Sequence, residues 1–72
     1  MRFVFNVNKD IWTVFVEYNG KRAGHVTCKM LVHAAVATDV EFVPGLMTPE
    51  HERRVIRAAT AAVAELAREP KS

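Results

Sequence analysis

Ile11-Trp12-Thr13-Val14-Phe15-Val16-Glu17-Tyr18-Asn19-Gly20-Lys21-Arg22-Ala23-Gly24-His25-Val26-Thr27-Cys28-Lys29-Met30 reads as the two arms of one β-hairpin. Both arms carry β-branched and aromatic residues, and Asn19-Gly20 breaks them at the centre. A two-residue Asn-Gly loop suits a type I′ turn, in which both central residues take positive φ at little steric cost. The turn sets a register. Tyr18 is expected opposite Lys21, Glu17 opposite Arg22, Val16 opposite Ala23, Phe15 opposite Gly24, Val14 opposite His25 and Thr13 opposite Val26, out to Ile11 opposite Cys28. One face then holds Ile11, Thr13, Phe15, Val26, Cys28 and Met30 and is expected to meet the core, with the Phe15 ring over Gly24. The other gathers Trp12, Val14, Val16 and Tyr18 into a row, beside Lys21, Ala23, His25, Thr27 and Lys29.

Outward from the hairpin, Phe3, Phe5 and Val7 alternate with Arg2, Val4 and Asn6, the period-two pattern of a half-buried strand. Val36, Thr38, Val40 and Phe42 alternate with Ala37, Asp39 and Glu41, predicting a fourth strand with an acidic outer face. A helix is expected from Thr48 as its cap, with Pro49 at its first position and Glu50 and Glu52 in the first turn, where the helix dipole favours anions. Val55, Ile56, Ala59, Ala62, Val63 and Leu66 mark its apolar stripe, and Pro70 is expected to stop it. These elements predict an α+β fold, a four-stranded antiparallel β-meander with one C-terminal α-helix packed on one face (ββββα). Residues 1–69 form a single domain in this reading and 70–72 a frayed tail. One helix covers one sheet face, so the row Trp12, Val14, Val16 and Tyr18 is expected to lie open as a protein interface; the alternative is the reversed orientation, with this row under the helix and Ile11, Phe15, Val26 and Met30 outside.

At 72 residues the chain has room for one small core, and folds of this size bury only about 60% of the surface that the unfolded chain exposes. The lone cysteine, Cys28, excludes an internal disulfide, which leaves self-association as the expected staple and makes a homodimer the expected state. The formal charge of +2 is small for a dedicated nucleic-acid binder. Met1 to Val7 is too short and too polar for a signal segment or a membrane span, so a cytoplasmic protein without membrane contact is the default expectation.

Little in the chain points to catalysis. His25 and Cys28 stand three apart on a strand and so face opposite ways, which separates a nucleophile from its base. His33 and His51 read as surface residues in a connection and at a helix start, and the histidines lack metal-ligand spacing. Asp39 and Glu41 share a strand face, where a solvated surface is the simpler account. The glycines form no phosphate loop. No enzyme activity, cofactor or metal is expected.

Arg53-Arg54-Val55-Ile56-Arg57, with Ala58, Ala59, Ala61, Ala62 and Leu66 after it, resembles the last helix of double-stranded RNA-binding domains over about the last twenty residues. That resemblance implies phosphate contact by Arg53, Arg54 and Arg57, although the family's first helix has no counterpart and Glu50 and Glu52 stand beside the proposed site. The order of a hairpin with a Val16-Glu17-Tyr18-Asn19-Gly20-Lys21 turn, another strand and a helix is similar to the centre of the GNAT acetyltransferases. Gly45-Leu46-Met47-Thr48-Pro49 lacks the glycine-rich pyrophosphate loop of that family, and no residue role carries over. The sequence is therefore expected to encode a small interaction module that binds a protein partner, in the style of phage-encoded or bacterial accessory inhibitors. Nucleic-acid binding through the helix is the alternative.

Overall fold

The computed structural model describes residues 2–32 and 34–68. Its elements are β1 (Phe3–Asn8), β2 (Thr13–Tyr18), β3 (Lys21–Met30), β4 (Ala35–Phe42) and α1 (Pro49–Arg68). The strands form one sheet in the order β1-β2-β3-β4, each antiparallel to the next, and the helix packs on one face. This is the expected ββββα fold. His33, Pro70 and the expected tail at 70–72 lie outside the described residues.

The central turn forms as its residue types dictate. Asn19 has φ 51° and Gly20 φ 81°, both positive as a type I′ turn requires. Asn19 also fastens the neighbouring strand: its N–H donates to the Arg2 carbonyl (2.8 Å) and its Oδ1 accepts from the Arg2 N–H (3.0 Å). At the other end of β2 the connection runs longer than the hairpin reading has it. The strand begins at Thr13, and Trp12 sits in the connection at φ 49° with its carbonyl accepting from the Cys28 N–H (2.9 Å).

The expected register holds for two pairs beside the turn, Tyr18 with Lys21 and Glu17 with Arg22, and then slips by one residue. Ala23 is an extra residue in a β-bulge, so Val16 pairs with Gly24, Phe15 with His25, Val14 with Val26 and Thr13 with Thr27. Because side chains alternate faces, that single insertion moves every later residue of β3 to the face opposite the expected one relative to β2. A second bulge lies in β4, where Thr27 pairs with Asp39 but Cys28 with Ala37. Thr38 is left over, and its hydroxyl donates to the Thr27 carbonyl (3.3 Å).

These two slips decide the core. Val14, Val16, Ala23, Val26 and Cys28 meet Val55, Ala59 and Val63 of α1, with Met47 closing one end. The helix therefore covers the face that carries Trp12, Val14, Val16 and Tyr18, the reverse of the expected orientation. Val26, Cys28 and Met30 lie on that same face, so nearly all the apolar side chains of the hairpin are collected under one helix.

The helix start follows the expected chemistry. Thr48 Oγ1 accepts from the His51 N–H (3.2 Å), and its carbonyl accepts from the Glu52 N–H (2.9 Å). Thr48→Ala removes one of these partners from an otherwise orphaned donor. It is expected to lower stability by about 1 kcal/mol, read from the midpoint of urea denaturation.

Candidate functional site

The bulge at Ala23 removes the surface that the sequence pattern suggests. Val14 and Val16 have 0% exposure; Trp12 and Tyr18 are half-buried and pack against the same core. The row is the floor of the core rather than an open interface. The uncovered face instead carries Glu17, Arg22, His25, Thr27, Asp39 and Glu41 around Phe15. The Arg22 guanidinium lies 6.0 Å from the centroid of the Phe15 ring, Thr13 Oγ1 and Thr27 Oγ1 are 2.9 Å apart, and His25 Nε2 is 3.2 Å from Asp39 Oδ2. This face is mixed and mostly polar, which corrects the expectation of a second apolar face in need of cover.

The candidate chemical groups stay apart. Cys28 is on the covered side and buried, whereas His25 pairs across the open face with Asp39. The His25–Asp39 pair crosses between strands, and nothing in the spacing of the two residues announces it. Burial pushes the Cys28 thiol above its ordinary value. The folded state thus favours the neutral thiol, so this group's contribution to stability is present below pH 9.0 and is lost as the pH rises beyond it. A water-soluble maleimide is expected to label Cys28 no faster than the chain opens, with the rate rising in step with urea. Rapid labelling of the folded protein would contradict the burial. Asp39 and Glu41 are exposed, and among the described residues no group of three or more His, Cys, Asp or Glu could hold a metal ion.

On the helix, Arg53, Arg54 and Arg57 are all exposed, and Arg54 bonds back to Glu50 one turn earlier (3.1 Å). His51 is half-buried, its ring edge-on to Phe3 at 6.4 Å.

The backbone of α1 approaches β3 and β4 most closely, so β1 is the thinly covered side of the sheet. Phe3, Phe5 and Val7 are only half-buried there. Phe3 stacks on Tyr18 with ring centroids 4.9 Å apart, and a groove of about 230 Å³ runs between the strand and the helix, lined by Phe3, Phe5, Arg54, Val55 and Ala58. β1 is also an edge strand whose outward backbone groups can be assigned. The bond from Asn19 N–H to the Arg2 carbonyl marks that pair as a hydrogen-bonded one. Antiparallel ladders alternate, so Val4, Asn6 and Asn8 turn their amides and carbonyls toward β2, while Phe3, Phe5 and Val7 turn theirs away from the sheet. The sequence signal is Phe3-Val4-Phe5-Asn6-Val7-Asn8, a strand with neither charge nor proline to protect an edge.

No protein-family model matches the chain, and searches of curated proteins and of solved structures find no match either. Among the described residues no helix is long and apolar enough to cross a membrane.

Proposed function

We propose that this chain is a non-enzymatic interaction module that binds a protein partner along β1 and its adjoining groove. The observation that carries this reading is the coincidence of a free strand edge with an apolar groove beside it. An extended segment laid against the edge would find main-chain donors and acceptors at Phe3, Phe5 and Val7, and every second side chain would enter the groove between Phe5 and Ala58, the arrangement used when a peptide adds a strand to a sheet. The aromatic rings supply the large apolar area on which such contacts depend. Arg54 at the rim is already committed to Glu50, so the groove keeps an apolar wall with a polar margin.

A photo-crosslinking residue in place of Ala58 tests the site. It is expected to give a discrete protein adduct, whereas the same group in place of Thr27, on the open face, gives none. The absence of any adduct from position 58 overturns the reading. Nucleic-acid binding is the second reading and rests on Arg53 and Arg57, exposed one turn apart on α1. It requires duplex RNA affinity that falls steeply with salt and is lost when Arg53, Arg54 and Arg57 are replaced by alanine.

A further inference from the structure

Resting on β1 as the docking edge, we infer that its occupant is a second copy of this chain, joined β1 to β1 antiparallel about a twofold axis. Three features of the structure select this partner and this register.

The first is the backbone. Only Phe3, Phe5 and Val7 offer outward amides and carbonyls, so hydrogen-bonded pairs across the axis must be drawn from these residues. Centring the axis on Phe5 uses all of them. Phe5 meets Phe5 of the partner subunit, and Phe3 meets Val7 of the partner subunit in both directions, for about six main-chain hydrogen bonds. Centring it on Asn6 uses only Phe5 with Val7, about four bonds.

The second is the side chains. Paired residues share a face, so the Phe5-centred register places Phe3, Phe5 and Val7 of both copies together on the helix side, over the groove at Val55 and Ala58. On the open side it sets Val4 against Asn6 of the partner subunit. β1 carries no charge from Phe3 to Asn8, so self-pairing opposes no like charges.

The third is the contrast with β4, the other edge. There Thr38 interrupts the ladder, and an antiparallel self-pairing centred on Val40 sets Asp39 of each copy against Glu41 of the other. β4 has the features of a protected edge and β1 has none. A β1-to-β1 contact is isologous and closes at two chains, giving a continuous eight-stranded sheet with both helices on one side. A single strand edge is a small interface, so the dissociation constant is expected to be on the order of micromolar.

The test is sedimentation equilibrium on the full chain, made by synthesis with and without an N-methyl group on Phe5. In the monomer that amide faces solvent, so methylation leaves the fold and the Phe5 ring intact while removing a donor at the centre of the interface. The unmodified chain is expected to reach twice its 8.1 kDa mass, and N-methylation to weaken association about 100-fold with an unchanged circular dichroism spectrum. Should the methylated chain fail to fold, hydrogen exchange on the unmodified one decides, with protection of the Phe3, Phe5 and Val7 amides that appears only at associating concentrations. A single-chain mass up to about 1 mM overturns the inference. So does a dimer unaffected by N-methylation, a dimer with those amides unprotected, or a mass that keeps growing beyond two chains, as open-ended pairing of β1 with β4 would give. If the chain is monomeric but position 58 still crosslinks to a different protein, only the identity of the occupant falls. If neither occurs, the docking edge falls with it.

Discussion

Gly24→Ala is expected to cost about 3 kcal/mol, combining backbone strain with a forced collision. Gly24 sits at φ 149°, a region that L residues rarely adopt, where the Ala23 bulge returns β3 to its ladder. A methyl group there would run into the Glu41 carbonyl oxygen and into both the Cα and the ring of Phe42. The obstacle on that side is largely backbone, so rotating one side chain does not relieve it. Domains of this size are stable by only about 4–11 kcal/mol, so the loss is a large fraction of the total, and the melting temperature should fall by roughly 12–24 °C. Gly20→Ala is the comparison. It shares a positive φ (81°) but meets nothing within 4 Å, so only strain of about 1 kcal/mol is expected there. Equal losses at the two positions would show that the close approach of β4 to Gly24 is wrong.

The same glycine explains why part of the fold is legible in the sequence and part is not. Asn19-Gly20 and Thr48-Pro49 declare themselves because their conformations are fixed by the residues concerned: positive φ at the turn, a side-chain oxygen over a free N–H at the cap. The helix stripe Val55, Ala59, Val63 is likewise local. The bulges are not. Ala23-Gly24-His25-Val26 has no strict alternation, and the extra residue is placed by the demand that Val26 and Cys28 join Val14 under a helix more than 25 residues further along the chain. The warning was Gly24 itself, since a glycine inside a strand marks a bulge or a close backbone approach as often as a ring laid over it. Here both are true, but the ring is that of Phe42 from β4 and not that of Phe15. The docking edge suffers differently. That β1 is an edge follows from the meander, yet its thin cover depends on where the helix lies over the sheet, which no pattern within β1 encodes.

The orientation of the sheet under its helix carries the second large effect. Val14→Asp is expected to leave the chain unfolded at 25 °C, while Phe15→Asp, one residue along, folds. Val14 has no exposed surface and shares its core with Val26, Val55, Ala59 and Val63, none of which offers a hydrogen-bond partner to a carboxylate. Placing a carboxyl group there either buries an unpaired charge or keeps it protonated at the expense of a strongly raised pKa, and it also deletes apolar burial. The combined loss of about 4 kcal/mol or more approaches the whole stability of a domain this small. Phe15 points to the open face with the Arg22 guanidinium beside its ring, so an aspartate there meets water and a cation and should cost no more than about 1.5 kcal/mol of lost packing. The two substitutions exchange outcomes if α1 covers the other face of β2, because Val14 would then face solvent and Phe15 the helix. Circular dichroism and urea denaturation of this pair therefore test directly which face of β2 lies under α1. A folded Val14→Asp chain with an unfolded Phe15→Asp chain would return the Trp12, Val14, Val16 and Tyr18 row to the surface and remove the reason for placing the docking edge at β1.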